Sequence, residues 1–136
     1  ELEHFGEHLI TIVEQAESVY KARIIGALFK ALIQNRIDRD AFEFLCFAVS
    51  RSFIHNLYQL HYATSNPNIL DDKLGACLAA LRLVDTKIEV SIKIDKMGNI
   101  AKEAEMGIPE VKNSYKINHY GSLLADEVGG VIARQI

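Results

Sequence analysis

From Lys87 to Asp95 the chain reads KIEVSIKID, in which Ile88, Val90, Ile92 and Ile94 alternate with Glu89, Ser91, Lys93 and Asp95. A period of two describes a strand with one buried face. The sequence before it follows a different period. Leu2, Phe5, Leu9, Ile12, Val13, Ala16, Val19 and Tyr20 recur three and four apart, and Ile24, Ala27, Leu28, Ala31 and Leu32 continue the pattern. That spacing is helical, so the chain must fold as helices followed by a small sheet. Tyr115 and Ile117 alternate in a second strand that can pair back on the first.

Helix boundaries follow from local chemistry. In RIDRDAFEFL, Asp40 is placed to accept from the first-turn N–H groups and Glu43 to reach back, a capping box that starts a helix at Ala41. This helix is expected to run through Phe44, Leu45, Ala48, Val49, Phe53 and Leu57 to Leu60, and to stop before TSNPN. Joined to the first by a short turn at Ile37 to Arg39, it should pack as an antiparallel hairpin. Whether the first pattern breaks near Ser18 is left open by the residues. Ala22 and Gly26 put two small residues on one face. Gly26 costs up to about 1 kcal/mol in a helix interior, for which close helix packing is the expected reason. A third helix lies within Leu70 to Val84, KMGN is a turn, and the stretch from Ile100 to Asn113 reads as an extended connection. Asn118 caps a last helix that turns Tyr120, Leu123, Leu124 and Val128 inward.

The expected architecture is mainly α with a small β-hairpin. A helical hairpin covers residues 1–66 and a second subdomain residues 67–136, together one compact unit. With 136 residues, 49% hydrophobic and 24% charged, the chain can bury a real core. Apolar stretches are interrupted far short of the roughly 20 residues that span a bilayer, so no membrane is expected. The chain begins at Glu1 with no signal-like succession and reads as a processed chain or as a piece of a longer protein. Cys46 and Cys77 fall inside helical apolar patterns, which suits buried packing in a reducing, cytoplasmic setting. A net charge of −3 gives no global attraction to nucleic acid. Locally, Glu1, Glu3, Glu7, Glu14 and Glu17 make the first eighteen residues wholly acidic, while Lys21, Arg23, Lys30, Arg36 and Arg39 follow. An antiparallel partner would meet opposite charge, which invites self-association, although a solvated charged face explains the same pattern.

Two patterns near the end resemble the closing part of a winged-helix domain. LGACLAALRLVDTKIEVSI is similar to the leucine-spaced helix that runs into the first wing strand. YKINHYGSLLADE is similar to the closing strand and capped helix, where that family often has Tyr-x-Leu-Thr-x-x-Gly-x-x-Leu; Tyr115, Ile117, Asn118, Gly121 and Leu124 stand at those places. The resemblance covers about residues 70–130. It implies a winged-helix-like subdomain and, in DNA-binding members, phosphate contacts from the helix and wing; here Lys73, Arg82, Lys93, Lys96 and Lys102 are the candidates. The chain departs from that pattern. The helix before the strands offers only Lys73 and Arg82 beside Asp71 and Asp72, Glu103 and Glu105 follow the wing lysines, and the helix that precedes the recognition helix is missing or supplied by the long hairpin. YKARIIGALFKALIQNRIDRDAFEFL also resembles helical segments of uncharacterised bacterial and phage-associated proteins, which implies no activity.

Other chemistry is sparse. HFGEH fits H-x-x-E-H, in which His4 and His8 share a zinc ion and Glu7 acts as base. A third ligand is not evident, and an exposed charged turn accounts for the same residues. His55, His61 and His119 share no spacing. Phe42, Phe44, Phe47, Phe53 and Tyr58 cover more than one side of their helix, as for a helix buried on several sides or one whose flank is a subunit interface. The leading expectation is a non-enzymatic protein-interaction or regulatory domain without a cofactor. It is dimeric through the long helices, with Leu9, Val13, Ala22, Gly26, Phe44 and Phe47 at the interface. The alternative is a DNA-binding winged-helix regulator, and the third reading a zinc hydrolase through His4, Glu7 and His8.

Overall fold

The computed structural model describes residues 2–14, 18–91 and 110–134. Helices α1 (Leu2–Glu14), α2 (Val19–Ile33), α3 (Arg39–Arg51), α4 (Ile54–Ala63) and α5 (Asp72–Ala80) precede strands β1 (Val84–Ser91) and β2 (Glu110–Ile117), and α6 (His119–Ala133) follows. A 3-10 turn at Pro67–Ile69 links α4 to α5. The protein is mainly helical, with one two-stranded antiparallel sheet among the described residues. No helix described is long and apolar enough to cross a membrane.

Local chemistry accounts for the helix ends. Ser18 is extended, and its hydroxyl accepts from the Lys21 N–H at 3.1 Å, so α2 has its own N-cap separate from α1. At the other end Asn35 takes a left-handed φ of 59°, with Arg36 N–H donating to Ala31 O and Asn35 N–H to Leu32 O. This is a Schellman closure with asparagine in the usual glycine place. Asp38, rather than Asp40, caps α3 by accepting from Ala41 N–H at 2.7 Å, and the expected capping box with Glu43 is therefore absent; Glu43 pairs instead with Arg39.

The long helix expected from Ala41 to Leu60 is two helices. Ser52 is extended and buried, its hydroxyl donates to Ala48 O at 2.7 Å, and Phe53, also extended, precedes α4. A serine side chain bonded back to the preceding turn competes with the helical ladder, and here it ends the helix.

One apolar core joins both halves of the chain. Ile24, Ile25 and Leu28 of α2, Phe42, Leu45 and Val49 of α3, Leu57 and Leu60 of α4, Leu78 of α5 and Leu124 and Val128 of α6 are fully buried together. Helix α6 packs on α2 and α4, and α2 on α3. Helix α1 joins through Phe5, whose ring lies 6.0 Å from Phe29 and 5.8 Å from Phe42.

The strand departs from expectation in its burial. Val84 is buried, but Ile88 and Val90 are exposed, as is Val111 opposite Val90. The hairpin extends beyond the helices that cover its first residues, so alternation persists without a buried face at its outer end. Ile92 and Ile94 lie outside the described residues. Tyr120 is not fully inward: it is partly exposed, with its ring 4.8 Å from that of Phe44. Gly26 is not a site of close packing among the described residues, none of which outside its own helix backbone and chain neighbours places an atom within 4 Å of where its Cβ would stand.

Candidate interaction surface

The surface that the winged-helix resemblance singles out is built on α5, the hairpin and the start of α6. Glycine at position 75 lets the Tyr115 ring of β2 lie on α5, where any Cβ would meet the ring carbons. Gly121 lets the first turn of α6 rest on the Leu83 carbonyl. Asn118 ties these together: its Oδ1 accepts from Gly121 N–H at 3.0 Å, and its Nδ2 donates to Arg82 O at 2.7 Å and Asp85 Oδ1 at 3.3 Å. The cap anticipated at Asn118 is present, and it also fixes the exit from α5.

Arg82 stands at that exit with φ 60°. Arg82 N–H donates to Ala79 O and Leu83 N–H to Leu78 O, a second Schellman closure, with Leu78 and Leu83 both buried. Arginine in a place where glycine is free of strain carries a conformational cost. Arg82→Gly is accordingly expected to raise stability by up to about 1 kcal/mol, net of the entropy glycine adds to the unfolded chain, read as a shifted urea midpoint. A loss of stability would mean that the arginine side chain makes a contact that offsets its backbone.

Charge on this surface is mixed in sign. On the outer face of the hairpin Asp85 stands opposite Lys116 and Glu89 opposite Lys112, while Lys87 Nζ lies 3.5 Å from Glu89 Oε1. Opposite charges directly across an antiparallel pair attract, so each of these lysines has an acid opposite or beside it, with Lys87 within ion-pair distance of Glu89. The outward residues of α5 are Asp72, Lys73, Ala76, Cys77 and Ala80, with Asp71 engaged as its N-cap at 2.8 Å from Leu74 N. Lys73 and Arg82 sit at opposite ends of the helix. Lys93, Lys96 and Lys102 lie outside the described residues.

Beside α5 a groove of about 690 Å³ opens toward α4, lined among others by Phe53, His55, Lys73, Leu74 and Cys77. Phe53 is 77% exposed at its edge. The two cysteines differ. Cys46 is buried as expected, and burial, aided by the nearby Glu43 charge, pushes its thiol up to about 12. Cys77 is exposed, contrary to the expected core role, because the Leu74 and Leu78 side of α5 faces the core and position 77 turns away. Native protein should therefore release one equivalent of chromophore from a disulfide reagent at pH 8 and two after denaturation. Two fast equivalents in the native state would contradict this burial of Cys46.

His4, Glu7 and His8 are exposed on α1, with His4 Nδ1 4.0 Å from Glu7 Oε2. Among the described residues no group of three His, Cys, Asp or Glu side chains is gathered to hold a metal ion. His55 lines the α4–α5 groove, whereas His61 lies between α4 and α6 with Nδ1 3.2 Å from Ala125 O.

The six expected interface residues differ in exposure. Leu9 and Phe44 are half-buried against the core, and Ala22 is half-buried. Gly26 and Phe47 are exposed, the latter with the Arg51 guanidinium 5.2 Å from its ring centre. The Val13 side chain lies outside those described. A second groove, between α2 and α6, was not legible in sequence because its cations come from chain segments far apart: Arg23 and Lys30 on one side and Arg134 on the other. Comparison with known protein families, characterised proteins and solved structures returned no match.

Proposed function

We propose that the chain is a non-enzymatic protein-interaction domain that self-associates, with a winged-helix-like C-terminal half used for contact between proteins. The order α3, α4, α5, hairpin, α6 supports the winged-helix-like reading, since α4, the second part of the expected long helix, stands in sequence where that family has the helix before the recognition helix. The observation that carries the choice of function is the mixed-charge, partly apolar surface at the place where a DNA-reading member would be basic. Its described hairpin lysines face or adjoin acids, the outward side of α5 is mostly small, and Ile88, Val90 and Val111 are exposed beyond it. Phosphate contacts supply most non-specific DNA affinity and need uncompensated cations, whereas an exposed apolar patch suits a protein partner.

Light scattering should give twice the single-chain mass at micromolar concentration, and a monomer at high micromolar concentration would overturn the self-association. The second reading, DNA binding, is favoured by one observation, the exposed Arg82 held at a backbone position that suits glycine. Anisotropy of a labelled duplex at about 50 and 200 mM salt separates the two, because phosphate-dominated binding weakens steeply over that range.

A further inference from the structure

The groove between α2 and α6 encloses about 390 Å³ and is lined by Arg23, Gly26, Ala27, Lys30, Val131 and Arg134. Arg23, Gly26 and Lys30 recur three and four apart, so they share one face of α2. Arg23 has its guanidinium 5.7 Å from the Tyr20 ring centre, and among the described residues neither Lys30 nor Arg134 has a carboxylate within ion-pair distance. The glycine at its centre is unexplained by the chain itself. Nothing lies within 4 Å of the missing Cβ, so alanine would fit there and strengthen the helix. A backbone left bare between cations is a place where another element can come close.

We propose that this groove receives the acidic first helix of a second copy of the chain, a contact that rests on the self-association proposed above. Helix α1 carries three glutamates, Glu3, Glu7 and Glu14, and no lysine or arginine. Within one chain α1 is already seated through Phe5 on Phe29 and Phe42. Its Glu7 side chain remains 78% exposed, with His4 rather than a cation of α2 as its neighbour. Glu7 of α1 and the basic groove are therefore both available to a neighbour. Each copy offers one of each, so a two-fold axis lets two copies satisfy both at once and closes the assembly at a dimer. Complementary charge sets the orientation, and because the charges are exposed the contact weakens with salt.

The test is sedimentation equilibrium of the full chain at about 50 and 300 mM salt, alongside Gly26→Leu and Lys30→Glu. A Cβ at position 26 meets no atom within 4 Å among the described residues, so leucine there projects into the groove, and circular dichroism melts will show that both variants remain folded. The expected result is a dimer whose dissociation constant rises with salt and at least tenfold in each variant. A wild-type dimer that both variants leave unchanged overturns the groove assignment while self-association stands. A monomeric wild type overturns both. Groove-dependent binding of a labelled duplex, lost in Lys30→Glu, overturns the choice of occupant in favour of phosphate.

Discussion

Replacing Gly121 by alanine is expected to destabilise the protein by about 3 kcal/mol, the upper part of the range for overpacking a closed site. The new methyl would stand on the Leu83 carbonyl oxygen and 3.0 Å from Ile117 Cγ2. Relief by a small shift is blocked from several directions. Leu83 O accepts from Asn118 N–H at 3.2 Å, Asn118 Oδ1 accepts from Gly121 N–H, and Asn118 Nδ2 holds the Arg82 carbonyl. Leu83 is itself fully buried. Moving α6 away would break its cap, and moving Leu83 would open the end of α5, so the clash spreads into the junction on which the candidate surface stands. The check is urea unfolding, in which the midpoint should fall at unchanged m-value. A loss below about 1 kcal/mol would mean that α6 can slide on the hairpin.

The same junction shows why part of this protein is legible in its sequence. Asn118 and Gly121 act within one turn, and the Tyr115 alternation acts within one strand, so local pattern suffices to place the cap and the close approach. The boundary at Ser52 was hidden because an apolar helical period runs straight through it. Only the hydroxyl bonded to Ala48 O marks the break, and serine at an exposed helix position looks the same in sequence. Asp38 and Asp40 compete for the cap of α3, and the choice between them depends on where the turn after α2 ends, which Asn35 decides by adopting a left-handed φ. Cys77 shares the apolar context of Leu74 and Leu78, yet a difference of one residue turns it toward the groove. For the candidate surface, Lys73 and Arg82 could be named from the winged-helix resemblance. That the hairpin lysines stand opposite or beside acids required the strand register, and the α2–α6 groove required tertiary packing that brings Arg134 to the same groove as Lys30.

Phe42→Ala should have the largest effect on stability, about 3–5 kcal/mol, as expected for emptying a buried aromatic site. Phe42 is fully buried, and its ring lies 5.8 Å from that of Phe5 and 6.1 Å from that of Phe29. It therefore underlies both the packing of α2 on α3 and the seat of α1. Phe5 has further contact on its outer side, with the Arg39 guanidinium 4.9 Å from its ring centre, but a cation–π contact at a half-exposed ring contributes only about 0.5–1 kcal/mol. It cannot replace the lost ring. Phe5→Ala should cost less than Phe42→Ala, because Phe5 is only partly buried and its removal leaves the α2–α3 core intact. Measured by urea unfolding, the ordering of the two variants tests the seat itself. A Phe42→Ala loss below about 2 kcal/mol would show that α1 and Phe29 collapse into the space, and equal losses would show that α1 is as integral to the core as α3.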